Sequence, residues 1–385
     1  MVKIMKYILA PDSFKDSMSA REVCQAMEKG IRKADPNSEI IAVPMADGGE
    51  GTTAALVDSQ NGHYITEEVF DPLNNKVTAT YGLINNEKTA IIEMAASSGL
   101  TFLTKKERNP DNIKIANTYG VGQLINSALK KGVNKIIIGL GGSATNDGGA
   151  GMAQALGVKF FDKNQQLISH HLGGGDLDKI ASLDLSKINP ALKQVEFIIA
   201  SDVTNPLIGP TGASFTFGKQ KGADKVTQEL LDQNLAHYAQ IIKKETNKDI
   251  ALLPGAGAAG GLGAGLLSFT NAQLIPGVQV VAKESHLEDK IKNADIVFTG
   301  EGGTDFQTKY GKTPFGVAQI SKKYQIPVIS LAGTLGKGIE QLYSYGFTAF
   351  FSIIDRPCSL EEALINGPEN VSRTCENIVR LLLQK

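Results

Sequence analysis

The sequence predicts an α/β protein of two domains, a doubly wound parallel sheet built by both chain ends with a second α/β domain of mixed sheet inserted between them. Three observations carry this. The first sixty residues hold two strand–polar loop–helix units: KYILA (6–10) followed by PDSFKDS, and EIIAVPM (39–45) followed by ADGGEGT. The last third returns to that style, with ADIVFTGEG (294–302), IPVISLAG (326–333) and FTAFFSII (347–354) as apolar strands separated by helices. Between them the character changes: HYITEEVF (63–70), KVTATYGLI (76–84) and KTAIIEM (88–94) are spaced by turn residues and read as an antiparallel run. The expected boundaries are 1–64 with 275–385 for the discontinuous domain, and 65–274 for the insert.

Taken in order, the first helix starts at Ser19, with Glu22 as its capping-box partner and Val23, Met27 and Ile31 as its buried stripe. A helix through Ala54, Leu56 and Val57 follows the second strand. Thr118 is expected to cap a helix carrying Val121, Leu124, Ile125, Ala128 and Leu129, which Gly132 stops. KIIIG (135–139) and VEFIIASDV (195–203) read as buried strands, 224–242 as an amphipathic helix and 369–383 as the last helix.

Thirty-nine basic against 40 acidic residues argue against a nucleic-acid groove or a polybasic membrane surface. Cys24, Cys358 and Cys375 lack the spacing of a zinc site or a disulfide framework, so a reducing interior is expected. The opening run is interrupted by Lys3 and Lys6, and no apolar run approaches the roughly 20 residues needed to span a bilayer. A soluble cytoplasmic protein acting on small molecules is the expectation; the oligomeric state is not readable.

Between KIIIG and a short helix at AGMAQALG lies GLGGSATNDGGAGM (139–152), six glycines with Ser143, Thr145, Asn146 and Asp147 among them. Glycine lets backbone N–H groups approach a ligand, and a helix start adds more, so an anion such as phosphate is the expected guest. Carboxylates and hydroxyls also recur just past predicted strands, the edge at which open α/β sheets bind ligands. They are Asp12, Ser13 and Lys15; Asp47, Gly48, Gly49 and Glu50; Asp202, Thr204 and Asn205; and Glu301, Asp305 and Gln307. One such acid ordinarily caps a helix. With Ser143, Thr145, Asn146 and Asp147 after KIIIG there are five such loops. They are the parts phosphoryl transfer needs: glycine-rich backbone for phosphate, carboxylates for Mg²⁺, an acid for the acceptor's proton and cations for the transferred group. Candidate cations are Lys15, Lys219, Lys221 and Lys312.

A Walker A loop ending at Gly311–Thr313 fails because Phe306 stands where glycine is needed. GxGxxA fits Gly139, Gly141 and Ala144, with Asp162 at about the right distance, and keeps open a Rossmann-type NAD(P)-dependent oxidoreductase. The turn chemistry of Asn146–Gly149 stands against it. The five histidines lack metal spacing, and no GxSxG is present.

Seven blocks, in order, carry a resemblance: APDSFKDSMSA (10–20), PMADGGEGT (44–52), GLGGSATNDGGAGM (139–152), ASDVTNPLIGPTGAS (200–214), FGKQKGA (217–223), PGAGAAGGLG (254–263) and TGEGGTDFQTKYGKTPFGVA (299–318). Together they resemble the bacterial class I glycerate kinases. The resemblance implies ATP- and Mg²⁺-dependent phosphorylation of D-glycerate, at the 2-hydroxyl, on a flavodoxin-like domain with an inserted α/β domain and an active site in a cleft between them. It makes Asp47 the first choice for proton acceptor or metal ligand, with Asp202 next. Ser13 and Lys15, beside Gly48, Gly49 and Glu50, suit the acceptor. Gly141, Gly142, Ser143, Thr145, Asn146, Asp147, Gly148 and Gly149, with Lys219, suit the nucleotide phosphates. Glu301, Asp305 and Gln307 suit glycerate or metal. The family usually carries arginine where this chain has Gly303 and a bulky aliphatic at Thr304, which leaves Lys309 or Lys312 as the substituting cation.

Overall fold

Short apolar runs become the central strands, because a strand covered on both faces needs side chains with nothing to hydrogen-bond. The computed structural model describes residues 4–384, and counts of elements refer to these. The strands are β1 (Lys6–Leu9), β2 (Glu39–Ala42), β3 (His63–Phe70), β4 (Lys76–Ile84), β5 (Thr89–Glu93), β6 (Lys135–Gly139) and β7 (Lys159–Phe161). They continue as β8 (Ser182–Asp184), β9 (Glu196–Ala200), β10 (Gln273–Ile275), β11 (Ile296–Thr304), β12 (Val328–Leu335) and β13 (Ala349–Ser352). Two units form. The terminal unit comprises the chain up to Asp47, Ala54–Asn61 and Pro276 onward; the inserted unit comprises Gly48–Thr53 and Gly62–Ile275.

The terminal unit holds a five-stranded sheet in the order β13-β12-β11-β1-β2, parallel throughout. Renumbered within the unit this is 2-1-3-4-5, the flavodoxin-like order. Its core joins Tyr7, Leu9, Phe298 and Leu331 of the sheet to Val23, Met27 and Ile31 of the Ala20–Ala34 helix and Val371, Cys375 and Val379 of the Gly367–Leu383 helix. The Ser19–Glu22 capping box forms as expected. EIIAVPM differs: only Glu39–Ala42 is strand, and it is partly exposed, because β2 is an edge with β1 as its neighbour.

In the inserted unit, six strands run β10-β9-β6-β5-β4-β3. The hairpin pairs β3–β4 and β4–β5 are antiparallel, whereas β5–β6, β6–β9 and β9–β10 are parallel, so the sheet is mixed as expected. β7 and β8 form a separate antiparallel pair. Thr118 occupies the N-cap of the Tyr119–Lys130 helix, yet its side chain makes no cap bond. Its hydroxyl instead donates to Asp147 at 2.7 Å and accepts from Met152 N at 2.9 Å, so the oxygen that would cap the helix is engaged elsewhere.

The two glycine-rich stretches pack backbone to backbone. Gly148 N donates to Gly260 O at 3.1 Å, and residues 259–261 all adopt left-handed conformations. A Cβ on Gly260 would lie 1.9 Å from Thr145 O, and one on Gly265 2.9 Å from Gly149 Cα. Side chains are excluded there by contact, not merely disfavoured. Gly260→Ala, clashing at φ +66°, is expected to cost about 3 kcal/mol or more. Gly303→Ala, whose Cβ would meet only Thr334 O at 4.0 Å, should change stability by less than about 0.5 kcal/mol. Urea unfolding midpoints check both.

Candidate active site

The polar loop after β1 runs alongside β11, with Asp12 N donating to Gly300 O at 2.9 Å. This brings three acids of the terminal unit into electrostatic reach. Asp12 accepts hydrogen bonds from Ser13 N at 2.6 Å and from the hydroxyl of Thr313, the first residue of the Thr313–Lys323 helix. Glu301 accepts from Thr308 Oγ1 at 2.8 Å and pairs with Lys312 Nζ at 2.9 Å; that ammonium also donates to Gly303 O at 3.1 Å. Burial pushes Asp12 up to about 6, against the Thr313 hydroxyl, with the charges of Asp47 and Glu301 adding to the rise. Burial raises Glu301 too, opposed chiefly by Lys312. Asp47 is exposed. A carboxyl titrating near neutrality beside an exposed one is equipped to move a proton.

Other expected residues on this unit fare differently. Lys15 is exposed and Ser13 part-buried against Asp12. Asp305 caps the turn Phe306–Lys309, accepting from Gln307 N at 2.7 Å, while the Gln307 side chain is exposed. The bland role of an acid after a strand holds there. Lys309 lies over the rings of Phe306 and Tyr310, 5.9 and 5.2 Å from their centroids. Lys312, not Lys309, is the cation tied to the acidic cluster.

On the inserted unit, the loop Gly48–Thr53 lies against the carboxyl ends of β5 and β6. Glu93 accepts from Thr53 N at 2.7 Å. A Cβ on Gly139 would lie 2.7 Å from Gly48 O, and one on Gly141 2.9 Å from Gly49 Cα. Gly48, Gly49 and Glu50 therefore adjoin Gly139 and Gly141. Gly142 is exposed and left-handed, but Thr145, Asn146 and Asp147 have no exposed surface, and Gly148 and Gly149 are buried. Asp147 accepts from Thr118 N, Thr118 Oγ1, Gly149 N and Gly151 N at 2.7–3.1 Å. It anchors the loop from within. Of the stretch 141–149, only Gly141 and Gly142 carry accessible surface; Ser143 is buried beside them, and the rest is packing.

Lys219 is exposed, and Lys221 is the lysine directed inward, donating to Ser143 Oγ and Thr145 O, each at 2.7 Å. Two lysines two apart in one turn look alike in sequence, and only the fold selects one. Asp202 is exposed just past β9. Among the described residues, no group of three or more His, Cys, Asp or Glu side chains is placed to hold a metal ion, and no helix is long and apolar enough to cross a membrane.

The dinucleotide alternative fails on geometry. Asp162 follows β7, which pairs with β8 rather than lying beside β6 in the parallel sheet. The helix after the glycines, Ala150–Ala155, is six residues long and follows a left-handed Gly149. Neither fits a Rossmann βαβ unit.

Acidic strand ends on the flavodoxin-type sheet of one unit and a glycine-lined strand edge in the other are each parts that an α/β phosphotransferase uses. Comparison with known proteins agrees. The pattern of the glycerate kinase family matches residues 7–383. A glycerate kinase from Halalkalibacterium halodurans is 48% identical over 96% of each chain, and the glycerate 2-kinase of Escherichia coli K12 is 45% identical over 98% of each. A crystal structure from Salmonella typhimurium LT2, described as a candidate glycerate kinase 2, superposes with a TM-score of 0.88 at 45% identity, covering 99% of this chain and 98% of that one. The chain belongs to the glycerate kinase family and is a kinase.

Replacing Asp12 separates activity from stability. Its folded-state pKa of about 6 lies above the ordinary carboxyl value, so the ionised form weakens the fold above that pH, and the penalty fades as pH falls through 6. Asp12→Asn is expected to lower kcat about a hundredfold and to remove the acid limb of kcat/KM near pH 6. Its melting temperature should equal or exceed that of the parent at neutral pH, the difference closing in acid. Paired pH–rate profiles and thermal melts check this.

Proposed function

We propose that the chain transfers the γ-phosphoryl group of ATP to the 2-hydroxyl of D-glycerate, giving 2-phosphoglycerate and ADP. The observation that carries the reading is the acidic strand end of the terminal unit, where exposed Asp47 lies within electrostatic reach of Asp12, whose carboxyl titrates at about 6. Asp47 takes the proton of the acceptor hydroxyl, and part-buried Asp12 within electrostatic reach holds the local charge near its point of titration. Ser13, Lys15 and Lys312 supply hydroxyl and cations for the acceptor's carboxylate. Gly141 and Gly142, beside Gly48–Glu50 in the chain's glycine-rich edge, supply accessible backbone for the nucleotide phosphates. The E. coli relative, named a glycerate 2-kinase, supports the choice of hydroxyl.

Mg²⁺ fits this donor set without a preformed cage, since it keeps several waters and takes one or two carboxylates. Asp47 and Asp202, both exposed, are each suited to one such bond; Glu301 is part-buried and paired with Lys312. When bound, the ion neutralises charge on the phosphates. The free thiols Cys24, Cys358 and Cys375 favour a reducing compartment such as the cytoplasm.

Phosphorus NMR of the product tests the assignment: the signal is split by a single methine proton for 2-phosphoglycerate and by a methylene pair for 3-phosphoglycerate. Asp47→Asn should lower kcat by a factor of about a hundred or more with the fold intact. Unchanged turnover in that variant removes Asp47 from the mechanism.

A further inference from the structure

We propose that Lys221 is a positioning residue for the phosphate end of the nucleotide, its buried ammonium orienting the buried Ser143 hydroxyl and setting a positive charge behind the accessible backbone of Gly141 and Gly142. The inference rests on the kinase reading for the identity of the anion. Its geometry stands by itself.

Lys221 is 1% exposed, and the two hydrogen bonds of its ammonium go to neutral acceptors, Ser143 Oγ and Thr145 O. The charge acting on it is Asp147, whose own carboxylate is already held by four donors of the loop. A buried cation without a contacting counter-ion is costly, and a neutral side chain would brace a loop at lower cost. Burial accordingly drives Lys221 down to about 7, against the pull of Asp147. The surroundings are polar and incomplete: Thr145 Oγ1 and Asn146 Oδ1 are buried without hydrogen-bond partners, although Asn146 Nδ2 donates to Ser214 Oγ at 2.9 Å.

The flanks are rigid. Leu100 N donates to Gly142 O at 2.8 Å, and Arg108 donates to Leu100 O at 3.1 Å. Gly222, at φ +107°, leaves no room for a Cβ against the backbone of Arg108 and Asn109, which sets the turn that directs Lys221 inward. Gly141–Ser143 is thus gripped from Leu100 on one side and from Lys221 on the other. A polyphosphate arriving there offsets the cost of the buried charge and raises the ammonium's hold on its proton.

Calorimetric titration of the whole protein with ATP, without acceptor, in buffers of different ionisation enthalpy tests this. At about pH 8 free Lys221 is mostly neutral and gains a proton when the phosphates bind, so the wild type should take up a measurable fraction of a proton relative to Lys221→Met. Lys221→Met should bind ATP at least about tenfold more weakly. Its KM for ATP should rise with little change in that for D-glycerate, while thermal melts show it folded. A folded variant with unchanged ATP affinity and unchanged proton uptake overturns the inference and leaves the lysine a brace. Should Lys221→Met not fold, the wild type decides: turnover with no proton uptake on binding ATP across pH 6 to 9 overturns the inference while the kinase reading stands. A wild type that binds no ATP overturns both.

Discussion

The interlock of two glycine-rich bends is the contact on which the inserted unit depends. Residues 145–149 and 259–265 approach so closely that backbone meets backbone, with no space for a Cβ on Gly260 or Gly265. Dispersion contacts at that range need matching surfaces, and any added carbon must displace main chain on the other side. The interlock buries Asp147, which then gathers the N–H groups of Thr118, Gly149 and Gly151 around one carboxylate. It also seats Asn146 against Ser214 and leaves Gly141 and Gly142 as the loop's accessible part. Most of the glycines thus serve to hold a short accessible stretch still.

The terminal unit meets a different constraint. Parallel strands end their carbonyls and their following loops at one edge, so Asp12, Asp47 and Glu301 are delivered to the same place by topology. Like charges at a partly desolvated edge repel. The fold moderates this with Thr313, Ser13 and Thr308 as donors and with Lys312 as counter-ion, but it does not remove it. A carboxyl kept near neutrality is a poor stabiliser and a good proton acceptor, the trade expected where activity has been favoured over stability.

These two edges differ in how they treat their polar groups. The acidic edge leaves charge exposed at Asp47 and moderates it at Asp12 and Glu301. The glycine edge exposes backbone at Gly141 and Gly142 and keeps its charge inside, at Lys221. Chemistry that transfers a phosphoryl group from a polyanion to a hydroxyl calls for both kinds of surface.

Local chemistry determined much of this from sequence alone. KIIIG, VEFIIA and KYIL are strands because their side chains tolerate burial on both faces, and Ser19 with Glu22 starts a helix because their reciprocal bonds are local. The acids after strand ends are visible for the same reason. Tertiary structure decided what long-range contacts decide. It assigned Asp305 to a helix cap and Asp12 to the acidic cluster, turned Thr118 from its own helix toward Asp147, and made the outer strand β2 partly exposed. It alone chose Lys221 over Lys219, since which of two neighbouring lysines faces inward depends on where Gly222 lets the turn pack. A residue type announces which interactions it can make; which partner is within 3 Å depends on chain a hundred residues away.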